Sequence, residues 1–451
     1  MKKILPYLLI IAVGLSSCKK DDNPAFDKSP EQRINEALSA YQTKLVGAAN
    51  GWKALIYPKG GGAYFFYFKF NDQNRVKMYS TFDSASAVAP MESSYRLKAL
   101  QQPSLIFDTY SYVHVLADPN ENVTILANVN GGPVGVGLQS DFEFYFDSTA
   151  GDTLKLVGRF NGSKADLIPA TKQEADAFDN KQLATGFLLR NLGRYLEYFK
   201  RVTIGGVVYE INASQSNRVI TFTWLDANGN AQTFSTPFYY SGTGVNFINP
   251  LINGSQTISG LTNLTWNAAT TTLGFTVNGT QVTINGFGQP LKVDLTAPQR
   301  FKQFAISGGN MWLSGDGWHV NGVDDALNLS GLLPNYAAAM YAPKEVAQYG
   351  WSQGDLGGVL LDGGNSLRAS SYTSAISNGI IKFAIQGTNT TIGFGATLTT
   401  AQRNLVVAPT NSFRSFMTDP TGYYLVQTSP LSYDMVRASD GKAWITWEWI
   451  W

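Results

Sequence analysis

Apolar and polar residues alternate along most of this 451-residue chain, and that period of two marks strands more often than helices. The clearest helix comes early. SPEQRINEALSAYQTKLVGAAN sets Ile34, Leu38, Tyr41 and Leu45 on one stripe, with Ser29 at the N-cap, Pro30 at the first helical position, Gln32 completing a capping box and Asn50-Gly51 as the stop. Beyond it AYFFYFKF, the turn NDQN and RVKMYSTF predict a hairpin. SLIFDTY, DFEFYFD and TLKLVGRF predict further strands, the last joined to SKADLI through Asn161-Gly162 as a type I′ hairpin. A second helical stretch follows. Thr171 and Glu174 have capping-box spacing, and Phe187, Leu188, Leu192, Tyr195, Leu196 and Phe199 recur at helical intervals from Leu183 to Phe199, interrupted by Gly186 and Gly193.

Strands resume in VVYEINA, RVITFTWL, AQTFSTPFYY, LTWNA and TLGFTVNGTQVTING, punctuated by Asp226-Ala227-Asn228-Gly229 and Asn278-Gly279. TLKLVGRFNGSKADLI and TLGFTVNGTQVTIN share one strand-turn-strand plan, which either a duplicated unit or common hairpin chemistry would produce. LLPNYAAAMYAPKEVAQYGW reads as helical pieces broken by prolines, and GYYLVQ, YDMVRA and AWITWEWIW return to strands, with Asp440-Gly441 as a turn. The expected class is α+β: mainly antiparallel β-sheets, in sandwich or barrel-like units, with a few packed helices. The expected organisation is a lipoprotein leader over 1–17, a flexible tether over 18–28, a helix plus β-rich domain over 29–200, and a β-rich domain over 201–451 with a subdivision near 300.

The first residues depart from this pattern. Lys2 and Lys3 precede ILPYLLIIAVGL, an apolar run of signal-peptide length that is too short to span a bilayer as a mature helix. Leu15-Ser16-Ser17-Cys18 then resembles the bacterial lipobox, which implies cleavage before Cys18, the chain's single cysteine, and a diacylglycerol on its sulfur. With a further acyl chain on the freed amine, and ~0.8 kcal/mol for each buried methylene, attachment passes the two-signal threshold for stable anchoring. Lys20-Asp21-Asp22, in the polar tether KKDDNPAFDKSP, resembles the signal that sends Bacteroidota lipoproteins to the outer face of the outer membrane. The expected location is therefore the outer membrane, lipid-anchored and facing the cell exterior. The alternatives are an ordinary secretory leader with a stray cysteine, and a tether whose charges are merely solvated.

Charge narrows the partners. Lys and Arg number 34 against 33 Asp and Glu, so losing Lys2 and Lys3 with the leader leaves a nearly neutral chain with no basic stripe for nucleic acid. With Cys18 acylated no disulfide can form, and stability must come from core burial.

YRLKALQQPSLIFDTYSYVHVLADP, SDFEFYF, LKLVGRFNGSKADLIPAT and the opening SPEQRINEALSAYQTKLVGAANGWKALIYP together resemble the Bacteroidota lipoprotein family catalogued as domain of unknown function 4302, over nearly the whole mature chain. The resemblance implies a lipoprotein often encoded near outer-membrane nutrient-import machinery. It implies no activity and carries no functional residue across.

Candidate chemistry is sparse. His114 and His319 are the only histidines, so no multi-histidine metal site, H-E-x-x-H motif or cysteine cluster can be built, and no cofactor is expected. His114, in YSYVHVLAD, reads as a satisfied structural histidine rather than a base. MWLSGDGWHVNGVDDALNLSG gathers Trp312, Asp316, Trp318, His319, Asp324 and Asp325; calcium ligation is conceivable, but the full loop pattern is missing and loop turns are the better reading. No G-x-S-x-G elbow is present. Asp141 and Glu143 alternate on one strand face without any assignable acid or base role, and PKGGGAY reads as a turn rather than a phosphate loop. Ile445, Trp447, Trp449 and Trp451 share a face that could stack on sugar rings, although a buried core face explains them better. Asp83-Ser84-Ala85, Asp147-Ser148-Thr149 and Asp152-Thr153-Leu154 resemble a Bacteroidota O-glycosylation pattern.

The sequence leaves one expectation and two competitors. The expectation is a non-catalytic surface lipoprotein that binds a glycan or peptide nutrient for outer-membrane import proteins, with Cys18 as its lipid attachment site and no catalytic or metal residue assigned. The competitors are a surface hydrolase using carboxylates and a structural or adhesion lipoprotein.

Overall fold

In the computed structural model, which describes residues 28–120, 135–215, 218–332, 335–346, 354–364, 366–386, 390–393 and 399–449, the first helix starts where its capping residues dictate. Ser29 Oγ accepts from the Gln32 amide at 3.2 Å, the Gln32 side chain accepts from the Ser29 N–H at 3.1 Å, and α1 runs Pro30–Gly47. Its buried stripe includes Leu45, and Tyr41 stacks on Phe146 with ring centroids 3.7 Å apart. The chain divides into two compact units, 1–180 and 181–451.

In the first unit eight antiparallel strands close into a barrel: β1 (Trp52–Tyr57), β2 (Tyr64–Phe70), β3 (Arg75–Ser80), β4 (Met91–Ala99), β5 (Pro103–Phe107), β6 (Glu143–Ala150), β7 (Thr153–Gly158) and β8 (Lys164–Pro169). Each pairs with the next, and β8 returns to β1 from Trp52↔Pro169 to Tyr57↔Lys164. Ala54, Phe66, Phe68, Met78, Leu105, Phe144 and Leu167 meet in its core. β2 buries both faces, which is why its sequence is almost continuously aromatic. Phe65 and Tyr67, on the face opposite Phe66 and Phe68, stack against Phe178 of α2 (Lys172–Asp179) at 5.8 and 4.1 Å.

The expected β2–β3 hairpin is present, with Phe70 opposite Val76. The Asn161-Gly162 turn is not type I′. The Gly158 N–H donates to Ser163 O at 2.7 Å, leaving a four-residue loop between them, and of Asn161 and Gly162 only the glycine has positive φ, at 72°. The cause is Asp141, whose carboxylate accepts the N–H groups of Phe160, Asn161 and Ser163 and so sets a wider turn. Asn278-Gly279, with φ of 49° and 79° and Val277 opposite Thr280, does form the two-residue turn that its sequence predicts. The two look-alike segments thus have different turns and lie in different units.

The stretch expected as one helix from Leu183 to Phe199 is instead a 3₁₀ run, Gln182–Arg194, followed by strand from Phe199. Spacings of three and four serve either helix type, and tertiary packing decides. Gly186 lies so close to the sheet that a Cβ there would sit 2.7 Å from Gly244 O, while Leu189 and Leu192 are buried. Tyr195 pins the exit by donating to Ile284 O at 2.9 Å and accepting from the Leu273 N–H at 2.7 Å.

A nine-stranded antiparallel sheet follows as a meander: β9 (Phe199–Ile204), β10 (Val207–Ser214), β11 (Val219–Leu225), β12 (Ala231–Ser241), β13 (Gly244–Asn253), β14 (Gln256–Asn267), β15 (Thr272–Val277) and β16 (Thr280–Thr283), with β17 (Asn285–Phe287) returning to the free edge of β9. The third sheet contains β18 (Trp312–Ser314), β19 (Trp318–Val320), β20 (Tyr336–Ala342), β21 (Asp355–Leu361), β22 (Ser366–Ser377), β23 (Ile380–Ile385), β24 (Thr390–Gly393), β25 (Tyr423–Ser429), β26 (Ser432–Arg437) and β27 (Ala443–Glu448). It curls until β27 meets β18 at Leu313↔Glu448. Two helices, α3 (Ala297–Gly308) and α4 (Thr400–Met417), contribute Phe301, Ala305, Val406 and Phe413 to the same core as Trp312, Tyr341 and Trp447.

The helical reading of residues 332–351 fails at its centre. Tyr336–Ala342 is a strand between β18 and β21 with Ala338 to Ala342 all buried, so its small residues fit a two-sided buried position that overrides their helix propensity. Antiparallel β with barrel-like sheets and packed helices is the architecture throughout.

Candidate functional site

Cys18 and Trp451 lie outside the described residues, and most other sequence candidates have structural roles. Asp141, only 3% exposed, is held by four hydrogen bonds from the loop at 160–163, including the Ser163 hydroxyl at 2.6 Å, while Glu143 faces Arg159 at 3.9 Å. Removing the Asp141 carboxylate strands those donors, of which the Ser163 N–H and hydroxyl are buried. Asp141→Ala is expected to destabilise the first unit by about 2–4 kcal/mol, measured by urea unfolding, with Glu143→Ala near neutral. His114, in the single helical turn Tyr112–Val115, is held below the usual histidine range by burial, with Nε2 against Phe107 O at 3.2 Å.

Asp325 accepts from the Leu329 and Ser330 amides, and Asp324 takes His319 Nδ1 at 2.5 Å, so these acids shape a loop. Among the described residues no group of three His, Cys, Asp or Glu side chains could hold a metal ion. Ile445, Trp447 and Trp449 are buried in the third sheet's core, and PKGGGAY forms a turn in which Gly60 N–H donates to Leu138 O. Of the three glycosylation-like triplets, Ser84 and Ser148 are exposed and Thr153 is half-buried.

Sequence reading missed a cavity of about 490 Å³ within the second unit, lined by the nine-stranded sheet and the third sheet. β10 and β11 place Glu210 opposite Thr223 and Asn212 opposite Thr221, and β12 adds Thr233 opposite Thr223. Because directly paired residues share a face, these side chains form one polar floor. Within it Thr223 and Thr233 hydroxyls lie 3.3 Å apart, and Thr221 lies 2.8 Å from Ser235. Val426, Gln427, Thr428 and Asp434 of β25 and β26 form the facing wall, and Tyr198, Phe199 and Lys200 line the same cavity.

Tyr198 fixes the corner. Its N–H donates to Gly441 O at 2.8 Å, its hydroxyl donates to Asp434 Oδ2 at 2.6 Å, and its ring meets Trp444 edge-on at 5.4 Å. Thr446 donates to the other oxygen of Asp434 at 2.7 Å. Trp444 in turn stacks on His319 at 3.7 Å, which makes that histidine a brace behind the site.

Burial dominates the electrostatics. It raises the Asp434 carboxyl against the Tyr198 and Thr446 hydrogen bonds, and it raises Glu210 against the Leu291 N–H at 2.8 Å and Arg201 at 3.1 Å. Burial pushes the Lys200 amine down to about 8, although Asp434, Glu210 and Glu197 pull it upward. Among the described residues no hydrogen bond or ion pair holds that amine, and it stands 5.7 Å from the Tyr198 ring centre. Clustered groups perturbed in this way, in a cleft, are the usual signature of a working site.

A family model described as "Domain of unknown function (DUF4302)" matches residues 22–268. The chain belongs to this family. The DUF4302 match stops in the turn after β14, short of the nearly full coverage expected from the sequence motifs. It therefore includes the Tyr198–Thr233 side of the cavity and not the Val426–Asp434 side. No curated protein matches the DUF4302 chain in sequence. Among solved structures, the DNA polymerase sliding clamp from Pseudomonas aeruginosa with ligand aligns at 10% identity over 92% of this chain and 97% of that one, with a TM-score of 0.13. The Helicobacter pylori beta clamp bound to a DNA ligase peptide aligns at 8% identity over 93% and 98%, also at 0.13. Scores this low support no structural or functional inference.

Proposed function

We propose that this DUF4302 protein is a lipid-anchored outer-membrane lipoprotein facing the cell exterior, which binds a glycan or peptide nutrient and hands it to outer-membrane import proteins without changing it chemically. Leu15-Ser16-Ser17-Cys18 and Lys20-Asp21-Asp22 support the location. The observation that supports the task is the cavity of about 490 Å³, which falls within the ~300–1,000 Å³ of small-molecule sites and is lined by side chains able to donate and accept hydrogen bonds.

The hydrolase reading gains one point, because Glu210 and Asp434 line the same cavity and both are raised by burial. Against it, both Asp434 oxygens already accept hydroxyl protons and Glu210 is held by Arg201 and Leu291, an arrangement suited to fixed acceptors. The test is to offer polysaccharide digests and peptide pools to the full-length protein in detergent, with calorimetry for binding and mass spectrometry for turnover. Saturable binding with unchanged pools is expected. Turnover would replace this reading with the hydrolase, and neither binding nor turnover would refute it.

A further inference from the structure

Taking the cavity in the second unit as a ligand site, we infer that its ligand is an uncharged polyhydroxylated molecule of one or two sugar rings, held by the Lys200 ammonium and the hydroxyl floor of Thr221, Thr223 and Thr233.

Three observations lead there. First, the centre of the floor has no backbone to offer, since Thr221 and Thr223 of β11 are paired with β10 on one side and β12 on the other. An extended peptide could not add as a strand at that centre, and recognition there falls to side chains. Second, the floor hydroxyls are ambivalent. In the pairs Thr221–Ser235 and Thr223–Thr233 either oxygen can be the donor, and Asn212 and Gln427 also carry both donor and acceptor atoms. A sugar hydroxyl has the same dual character, so a ring of them satisfies such a surface at several points at once.

Third, the formal charges cancel. Glu210 is neutralised by Arg201, and what remains is one cation, Lys200, against one anion, Asp434. A phosphate or carboxylate ligand would be set against Asp434 and a cationic ligand against Lys200, whereas an uncharged ligand meets neither repulsion. Lys200 is the telling residue. Its amine lines the cavity, burial lowers its pKa, and among the described residues no hydrogen bond or ion pair holds it, so a hydroxyl oxygen of a ligand can accept from it.

The groups facing the amine are Asp434 on β26, Glu210 on β10, and Glu197 and Tyr198 just before β9. With the amine at about 8, it is mostly charged at pH 7 and mostly neutral at pH 9. Affinity should therefore fall as pH rises through that interval, and Lys200→Arg, which stays charged, should abolish the fall.

The experiment titrates full-length protein in detergent with glucose, galactose, mannose, maltose and cellobiose, with galacturonate, and with dialanine. At least one neutral sugar is expected to bind saturably. Lys200→Met should weaken that binding tenfold or more while Tm holds or rises, which a merely structural lysine would not do. Thr223→Val, on β11 rather than β9, should weaken it independently of any folding effect of the first substitution. Binding of galacturonate or dialanine at this cavity, with the neutral sugars silent, would overturn the sugar assignment and leave the ligand-site reading standing. A neutral sugar whose binding survives both Lys200→Met and Thr223→Val, or silence from every probe, would overturn the assignment of the site itself.

Discussion

Cells carrying Cys18→Ala are expected to lose the protein from the membrane pellet altogether and to show no palmitate label on it. The size of the effect follows from counting chains. One myristoyl group gives only marginal, reversible attachment, whereas two or three chains, at ~0.8 kcal/mol for each buried methylene, hold a protein for the life of the membrane. Cys18 is the single thiol in the sequence, so no second acylation site can compensate. Fractionation and metabolic labelling read the result directly, and undiminished label on the variant would contradict the anchor.

The largest expected effect on folding belongs to Asp355. It is 2% exposed and stands at the start of β21, where it accepts from Tyr341 at 2.9 Å, Ser374 at 2.6 Å, the Lys344 amide at 3.1 Å and Lys302 at 3.1 Å. Truncation would leave Lys302 and two hydroxyls facing a buried void. Asp355→Ala is expected to destabilise the second unit by about 3–5 kcal/mol, because breaking one half of a buried ion pair leaves its partner uncompensated. Asp355→Asn keeps the shape and some acceptor capacity and should lose less. Urea unfolding followed by tryptophan fluorescence suits the measurement, since Trp312, Trp318 and Trp447 are buried in the same core.

Local chemistry was readable in the sequence wherever neighbours in the chain decide the outcome. The Ser29 and Thr171 capping boxes, the Asn278-Gly279 turn and strands such as β2, β3, β7 and β11 follow from residues a few positions apart. Reading failed where a distant partner intervened. Asp141 reshaped the turn at 160–163, the sheet flattened 182–194 into a tighter helix, and ladder partners on both sides drew an alanine-rich segment into β20. The site was hidden for the same reason. Tyr198 and Asp434 are 236 positions apart, and Lys200 sits in FKRVTI, whose first residue was absorbed into an apparent helical period. Its one local clue was a lysine next to a phenylalanine at the start of an alternating run, a pattern too common to single out.

The closed ring of the first unit also sets an order of assembly. β1 needs β8 on one flank and β2 on the other, and its β8 partners begin at Lys164, more than a hundred positions downstream. Joining such remote ends is entropically expensive and kinetically late. Until residue 169 has been delivered, β1 keeps one flank unpaired and the seven preceding strands can form at most an open sheet, so closure waits on the last six residues of the barrel.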